Sequence, residues 1–281
     1  MKTVRIFVCG HKFYDLLPPL GEAIQCGSAV NSKIEGILHD DQGENISLKN
    51  HEYCELTAHY YVWKNILADY YGFCHYRRFL TAEQGEKRPY FVKGKLSDKE
   101  KSRFFADENY WIELTERNGV IAPKSEDMGV SVYEHYCTSK YHYAEDLALF
   151  LKILNKRNPE LSDAAERYLK QNRQYFCNMF IMYKELFFEY CEALFGILDE
   201  FDSVKKLHRD FQSDITDGYL GEIFTGIFIT YCKEKGIQIT EKPRLDIKCG
   251  IKKRFCYIIF PPESQLRFFA KKIIKEKGFG R

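Results

Sequence analysis

The sequence has little net charge and no long apolar run. Its 281 residues include 42 Lys and Arg against 40 Asp and Glu, which leaves a formal net charge of +2. A general nucleic-acid binder is strongly basic, so this balance argues against that class. No window reaches the ~18 consecutive apolar residues of a spanning helix, and no cleavable apolar leader follows Met1. We therefore expect a cytoplasmic protein.

Common metal, nucleotide and hydrolase motifs are also missing. None of the ten cysteines forms a Cys-x-x-Cys pair, so we expect free, mostly buried thiols rather than a zinc site. The sequence contains neither a G-x-x-x-x-G-K-[ST] loop nor a G-x-G-x-x-G turn, which argues against phosphate binding of those two kinds. It also lacks the G-x-S-x-G and H-E-x-x-H motifs of hydrolases and metalloproteases.

The composition is that of a folded protein with a large core. Apolar residues make up 45% of the chain and aromatic residues 16%, which is enough to fill the interior of a domain of this length. The sequence has no internal repeat and no low-complexity linker. We therefore predict one domain over residues 1–245, followed by a tail over residues 246–281.

The tail is strongly basic. From residue 248 onward it carries ten basic residues and two acidic ones. Residues 265–275 place Leu266, Phe269 and Ile273 at helical spacing with lysines between them, which predicts a basic amphipathic helix. Such a helix can lie on the anionic surface of a membrane, or it can pack on the domain with its lysines in solvent. The pattern leaves both arrangements open.

β-like and helical segments alternate along the domain. The pattern predicts strands over residues 4–8, 34–38, 70–74, 119–123 and 175–182. It predicts helices over residues 16–24, from about 52, 98–105 with Ser97 as N-cap, 143–156, 185–198 and 218–235. This alternation indicates an α/β fold in which helices flank a central sheet.

The sharpest polar feature is the run His75-Tyr76-Arg77-Arg78, which follows the predicted strand over residues 70–74. In open α/β sheets, ligands gather just beyond the carboxyl ends of strands. Two guanidinium groups can hold a diphosphate by bidentate hydrogen bonds and offset its charge as it leaves. The pair can equally reach acidic groups on the surface, and the spacing alone does not decide between the two.

Five segments resemble motifs of a family known as domain of unknown function 4422, in the same order along the chain. They are Gly43-Glu44-Asn45-Ile46-Ser47, Cys54-Glu55-Leu56-Thr57-Ala58, Trp63-Lys64-Asn65, Gly72-Phe73-Cys74-His75-Tyr76-Arg77-Arg78 and Cys177-Asn178-Met179-Phe180-Ile181-Met182. The likeness spans roughly residues 4–240. That family is associated with bacterial capsular-polysaccharide and lipopolysaccharide glycosyltransferases.

The resemblance implies a GT-A-like glycosyltransferase with one Rossmann-type α/β domain and a mixed central sheet. Such an enzyme moves a hexosyl group, for example galactosyl or galactofuranosyl, from a nucleoside-diphosphate sugar to a glycan acceptor. The resemblance also implies a UDP-linked donor, an inverting reaction, and a place in capsule, exopolysaccharide or lipopolysaccharide biosynthesis at the inner face of the cytoplasmic membrane. A lipid-linked acceptor would make docking of the basic tail on that surface useful.

Most GT-A folds place an Asp-x-Asp metal motif after a strand, and this sequence has none. A departing diphosphate needs positive charge beside it, which either a divalent ion or fixed arginines can supply. We therefore expect His75, Arg77 and Arg78 to bind the donor diphosphate without a required metal. The alternative is Mn²⁺ or Mg²⁺ held by His75 together with Asp40 or Asp41.

Further polar residues, within or beside the resembling segments, are candidates for nucleotide and sugar binding. They are Asp40, Asp41, Asn45 and Ser47 in a polar loop, Glu55, Thr57 and Lys64 on the helix that follows, and Asn178 in an apolar strand. The loop can also be an ordinary turn, and Asn178 can satisfy buried backbone groups instead of a sugar hydroxyl. The resemblance favours the sugar for Asn178. We expect Trp63 to lie in the core.

An inverting transferase needs one carboxylate to deprotonate the acceptor hydroxyl. Our candidate is Glu222, which lies near the start of a predicted helix after Gly218 and Gly221, two glycines that permit close approach of a ligand. Asp217 is the reserve base, or else a cap of that helix. Members of the resembling family usually carry Glu-Arg where this chain has Glu222-Ile223, so the second position has no inherited role here.

Two other functions stay open at this stage. A catalytically silent carbohydrate- or nucleotide-binding protein would retain the fold without turnover, and the missing Asp-x-Asp motif is compatible with it. A phosphohydrolase acting on nucleotide sugars would need His75 or an aspartate cluster to activate water.

Overall fold

A computed structural model describes residues 2–12, 17–84, 89–92, 96–206 and 215–247, together with Leu266. The strands are β1 (Val4–Gly10), β2 (Gly21–Gln25), β3 (Leu38–His39), β4 (Tyr70–His75), β5 (Arg78–Leu80), β6 (Tyr90–Val92), β7 (Val120–Pro123), β8 (Glu126–Asp127), β9 (Arg173–Gln174), β10 (Phe180–Tyr183), β11 (Ile239–Lys242) and β12 (Arg244–Ile247). The helices are α1 (Asn50–Tyr53), α2 (Leu56–Asn65), α3 (Asp98–Phe104), α4 (Glu108–Asn118), α5 (Val132–Thr138), α6 (Ala144–Arg157), α7 (Ser162–Lys170), α8 (Lys184–Val204) and α9 (Thr216–Glu234).

The central sheet has the strand order β11-β7-β10-β4-β1-β2-β3. Its neighbours are parallel except for β10, which runs antiparallel to both β4 and β7. The chain moves outward from β1 through β2 and β3, and then returns to place β4 on the other side of β1. The order therefore reverses between β1 and β4, and such a point is where α/β sheets bind ligands. The α/β prediction with a mixed sheet is confirmed.

Alternate residues of β1 and β4 pack into two different cores, because successive side chains of a strand point to opposite faces. On one face, Phe7, Tyr71 and Phe73 join the core formed with α2 and α6 to α9. On the other face, Ile6 and Cys74 join a smaller core with Trp111 of α4 and Leu245 of β12. Helices or strands thus cover both faces of the sheet, so a ligand would approach it at the ends of its strands.

Most predicted elements are present, and three predictions are wrong in whole or in part. Ser97 caps α3 through a complete capping box, and the helices predicted over 143–156, 185–198 and 218–235 correspond to α6, α8 and α9. The helix predicted over 16–24 is instead the strand β2, because Pro18 and Pro19 lack the N–H groups that a helix interior needs. The strand predicted over 34–38 forms only at its end, as the two-residue β3. The strand predicted over 175–182 likewise forms only from Phe180 onward, as β10, so Asn178 lies in the turn before the strand and not in it.

The described part of the chain confirms the prediction of free thiols. Its eight cysteines are all unpaired, and six of them are buried. None of its helices combines the length and the apolarity that crossing a membrane demands. The predicted helix over 265–275 lies outside the described residues except for Leu266, and the boundary at residue 245 stays a prediction.

Candidate functional site

The run His75-Tyr76-Arg77-Arg78 forms a tight turn at the point where the strand order reverses. His75 ends β4 opposite Cys9 of β1, and it also pairs with Arg78, the first residue of β5. Tyr76 folds back over the end of β1, where its backbone N–H donates to the carbonyl oxygen of Cys9 at 2.9 Å. Gly10 permits this approach, because a Cβ at Gly10 would lie 2.7 Å from the Cβ of Tyr76.

The turn creates a positive site around a neutral imidazole. Burial and the charges of Arg78, Arg77 and His11 lower the pKa of His75 to about 3. The Nδ1 atom of His75 accepts a hydrogen bond from the Arg77 backbone N–H at 3.2 Å, which leaves the ring proton on Nε2. His75 is therefore an uncharged hydrogen-bond donor at neutral pH, beside two permanent cations.

Among the described residues, no carboxylate forms a close ion pair with either arginine. The Arg77 guanidinium lies over the ring of Tyr76, 4.8 Å from its centroid, and its Nε is buried without a hydrogen-bond partner. Arg78 is partly buried and interacts electrostatically with Arg244, Asp246 and Glu222. A buried donor without a partner is costly, so an anionic ligand at this turn would gain from both side chains.

Two carboxylates face the same end of the sheet from α2 and α9. Glu222 lies in the second turn of α9, and its Oε1 accepts a hydrogen bond from the backbone N–H of Cys177 at 2.6 Å. Glu55 lies at the N-cap of α2, and its Oε1 accepts from Nδ2 of Asn178 at 3.1 Å. Consecutive residues, Cys177 and Asn178, thus hold one carboxylate each.

The turn that holds them is strained. Cys177 has φ 76° and Asn178 has φ 47°, and left-handed backbone at non-glycine residues costs on the order of 1 kcal/mol or more for each residue. Asn178 is 2% exposed, and its amide also reaches the Gly218 carbonyl at 3.5 Å and accepts from Thr225 Oγ1 at 3.0 Å. These contacts bind Asn178 to the protein and place it behind Glu55.

The environment raises the pKa of both carboxyl groups. Burial, and then the charge of Glu55, raise the pKa of Glu222 to about 7, against the opposing effect of the Cys177 N–H, Arg78 and Arg244. Burial raises the pKa of Glu55 as well, although Asn178 and Arg78 oppose the shift. A carboxylate with a pKa near 7 is suited to act as a general base.

The polar loop of residues 40–47 is fixed mainly to itself and to the loop after β2. Asp40 is fully buried, and it accepts hydrogen bonds from the Gly27 and Ser28 N–H groups and from Ser47 Oγ. Asn45 bonds within the loop, to Gly43 and Ser47. This network fixes the loop beside β2 and β3, on the other side of β1 from the turn at His75. We call the reversal of strand order between β1 and β4 the switch point.

The other binding candidates have partners away from Glu55 and Glu222. Asp41 pairs with Lys33 at 2.6 Å, and Thr57 donates to the Cys54 carbonyl at 3.2 Å. Lys64 pairs with Glu44 at 3.3 Å and lies 3.7 Å from the centroid of the Trp63 ring. Trp63 packs against the core, as predicted.

The metal alternative at His75, Asp40 and Asp41 does not form in the described part of the chain. The group in that part of the chain that could hold a metal ion is a different one, Glu52, Asp202 and Asp217. The carboxylate oxygens of these three residues lie within 4.8 Å of one another. Such a group could bind a divalent cation. The Nζ atom of Lys205 already lies 2.5 to 2.7 Å from an oxygen of each of the three, so a metal ion there would have to displace an ammonium group.

Sequence reasoning missed the strand that supports the turn of residues 75–78, which we call the arginine turn. β12 runs antiparallel to β5 and pairs Asp246 with Arg78. Arg244 is 7% exposed, binds Asp246 at 2.7 Å and Glu126 at 3.2 Å, and places Nη1 3.9 Å from the Cys177 sulfur. The signal was the alternation of charged and apolar residues over 244–247, which is typical of a strand.

Comparisons with known proteins agree with this architecture. A family model described as domain of unknown function (DUF4422) matches residues 5–234. The solved apo structure of the WbbM bifunctional glycosyltransferase is similar, with 30% sequence identity and a TM-score of 0.80 over 88% of this chain and 46% of that one. The chain thus spans about half the length of that protein. Comparison with curated proteins gives no match.

Proposed function

This chain belongs to the DUF4422 family, and we propose from that premise that it is a glycosyltransferase. It moves a hexosyl group, such as galactosyl or galactofuranosyl, from a UDP-linked donor to a glycan acceptor. The similar fold of a protein described as a glycosyltransferase supports the general activity. The observation that carries the proposal is local. Two arginines that form no close ion pair with a carboxylate of the described residues lie beside a carboxylate with a pKa near 7, at the switch point of the sheet.

In this mechanism the arginine turn binds the donor diphosphate. Arg77 and Arg78 donate to its non-bridging oxygens, and the Nε2–H of His75 adds a neutral donor. Because the two guanidinium groups are fixed before the reaction, they stabilise the negative charge that grows on the leaving UDP. Such charge-assisted hydrogen bonds are among the strongest that a protein offers to a phosphate.

Glu222 is the general base. It takes the proton of the acceptor hydroxyl while that oxygen forms a bond to C1 of the sugar, and the bond from C1 to the diphosphate oxygen breaks on the opposite face. The bonding electrons leave with UDP, and the configuration at C1 inverts. Glu55, held by Asn178, is placed to bind a sugar hydroxyl beside this base, and the loop with Asp40, Asp41, Asn45 and Ser47 borders the nucleotide.

Asp217, our reserve base, has a different environment. It is fully buried and binds the Lys205 ammonium at 2.6 Å, so an acceptor hydroxyl would have to displace that ion pair. We therefore assign the base to Glu222 alone, and we propose that the reaction needs no divalent cation.

The biological setting follows from the family resemblance. We propose a role in capsule, exopolysaccharide or lipopolysaccharide biosynthesis, with a lipid-linked glycan as acceptor and with the basic tail holding the enzyme at the inner face of the cytoplasmic membrane. Co-sedimentation of the full chain with phosphatidylserine vesicles at low and high salt tests the membrane contact. Absence of binding at low salt contradicts it.

The donor site is tested by nucleotide binding. Removal of a charge-assisted contact costs about 1.5 to 3 kcal/mol, so Arg78→Ala should weaken UDP binding about tenfold to a hundredfold in calorimetric titration. Arg117→Ala removes an exposed arginine of α4 that pairs with Glu113, and this control should bind UDP like the wild type. Equal UDP affinity of Arg78→Ala and Arg117→Ala would falsify the diphosphate site.

A further inference from the structure

A buried ion cluster joins α1, α8 and α9 close to both carboxylates of the site. Lys205, the C-cap residue of α8, places its ammonium 2.5 Å from Glu52 of α1, 2.7 Å from Asp202 of α8 and 2.6 Å from Asp217 of α9. The Lys205 side chain is 7% exposed and that of Asp217 is 0% exposed. One cation therefore ties three helices together away from solvent.

The cluster lies next to both carboxylates in the chain. Glu52 is three residues before Glu55, and Asp217 is five residues before Glu222. Between the two helices, Gly218 packs so closely on Cys54 that a Cβ at Gly218 would lie 3.1 Å from the Cys54 sulfur. Cys54 is itself held at φ 51°. The start of α9 thus rests directly on the joint between α1 and α2.

The opposite side of this contact is closed by Asn178. Its Nδ2 donates to Oε1 of Glu55 at 3.1 Å and reaches the carbonyl oxygen of Gly218 at 3.5 Å. The joint is therefore held by the Asn178 amide on one side and by the Lys205 ammonium on the other. An ion pair inside a protein is screened less than one in water, so Lys205 restrains this joint more firmly than an exposed lysine could.

We propose that Lys205 is a positioning residue, which fixes the separation of Glu55 and Glu222 by holding α1 and α9 against each other. It touches neither the donor nor the acceptor. Its effect on the reaction rests on the proposed function, whereas its effect on the two helices does not. Three acidic groups need a compensating cation inside the protein, so this role explains why a lysine is buried here.

Lys205→Met alone would leave Glu52 and Asp217 without a cation, whereas Asp202 would keep Lys49 at 2.8 Å. Because that variant could fail to fold, two further variants carry the test. Lys205→Met combined with Asp217→Asn removes the ion pair and one of the acidic charges. Lys205→Arg keeps the charge and should retain most of the activity. Lys156→Met is the control, because Lys156 pairs with Glu200 at 2.8 Å on the surface.

We expect the double variant to lose at least about tenfold in kcat while its KM for the donor changes less than about threefold, since the arginine turn is untouched. Amide hydrogen exchange over residues 50–57 and 216–223 should accelerate in the same variant, with α6 unchanged. Wild-type exchange in these segments, or a kcat equal to that of Lys156→Met, overturns the proposal. If the wild type transfers no sugar, the proposed function fails, and exchange alone decides whether Lys205 holds the helices.

Discussion

Glu222 combines two properties that rarely occur together in one carboxyl group. It accepts a short hydrogen bond from the Cys177 N–H, which stabilises its charge, and burial beside Glu55 raises its pKa to about 7. The hydrogen bond fixes where the carboxylate points. Burial and the neighbouring carboxylate make it a stronger base, because a group with a higher pKa holds the abstracted proton more firmly.

Substitution of Glu222 by Gln should abolish the base while keeping the shape of the site. General base catalysis contributes about 10²- to 10⁴-fold, so we expect kcat to fall by that factor. UDP affinity should change little, because the arginine turn binds the diphosphate. The measurement is a steady-state transfer assay beside a UDP titration, with Glu192→Gln, an exposed position of α8, as the control. A kcat in Glu222→Gln equal to that of the control would assign the base elsewhere.

The raised pKa of Glu222 also predicts that ionised Glu222 lowers the stability of the fold. A folded-state pKa of about 7 lies above the value of an unfolded glutamate, ~4.3, so ionisation of Glu222 destabilises the fold as pH rises through 4 to 7. Glu222→Gln should therefore raise the melting temperature at pH 8 and have little effect at pH 4.5.

Activity should follow the other sign, since the base works only when it is ionised. The wild-type kcat should fall as pH drops below about 7. Thermal unfolding and a pH–rate profile check the two statements separately. If the melting temperature of Glu222→Gln stays below that of the wild type at pH 8, ionised Glu222 does not destabilise the fold and the raised pKa is contradicted.

At the scale of elements, the site depends on the tight packing of the β4–β5 turn on the end of β1. The turn brings two cations to the point where the strand order reverses, and β12 supports it from the other edge through the pairing of Asp246 with Arg78. Glycine at position 10 is required, because Tyr76 covers the place where a Cβ would stand. The position of the arginines is thus set by backbone packing.

Gly10→Ala should displace this turn. A Cβ 2.7 Å from a backbone-attached carbon cannot be accommodated without a shift of the turn, so UDP affinity should fall about tenfold, equivalent to about 1.4 kcal/mol. Gly196→Ala is a matched control in α8, where the new Cβ meets only the flexible end of Arg157. Unchanged UDP affinity in Gly10→Ala would show that the turn does not need this contact.

The elements also show what the sequence could and could not predict. Apolar runs such as 70–74 and the periodic segments of α6, α8 and α9 predicted their structure, since burial alone specifies them. The strand β2 was misread as a helix despite two prolines before it. The joining of Glu55, Asn178 and Glu222 depends on contacts between residues far apart in the chain, and no local pattern encodes their distances. Arg244 is a different case, because the alternation of charged and apolar residues over 244–247 was a local signal of its strand.

At the scale of the whole molecule, cations of the protein stand where a metal ion would be expected. In the proposed enzyme, Arg77 and Arg78 take the place of the metal ion of an Asp-x-Asp motif, and Lys205 occupies the acidic cluster of the described residues. The protein therefore supplies positive charge from its own side chains at both places. We therefore expect sugar transfer to proceed without divalent ions.

Sugar transfer should persist in EDTA. Side-chain cations cannot be removed by a chelator, so we expect the rate in excess EDTA to stay within about twofold of the rate with Mn²⁺ or Mg²⁺, a difference below 1 kcal/mol in the barrier. The transfer assay is run on chelator-treated protein, with metal added back as the control. Loss of activity in EDTA and its recovery with Mn²⁺ would contradict the proposal.

The strand β12 lies beyond residue 234, where the match to the family ends. A chain trimmed to the matched segment would lose the partner of β5 and expose its backbone N–H and C=O groups as a raw edge. It would also lose Arg244, which braces the strained turn at Cys177. A protein trimmed to the limits of the family match is therefore expected to aggregate and to lose the support of the turn at Cys177, even though all five segments that resemble the family are retained.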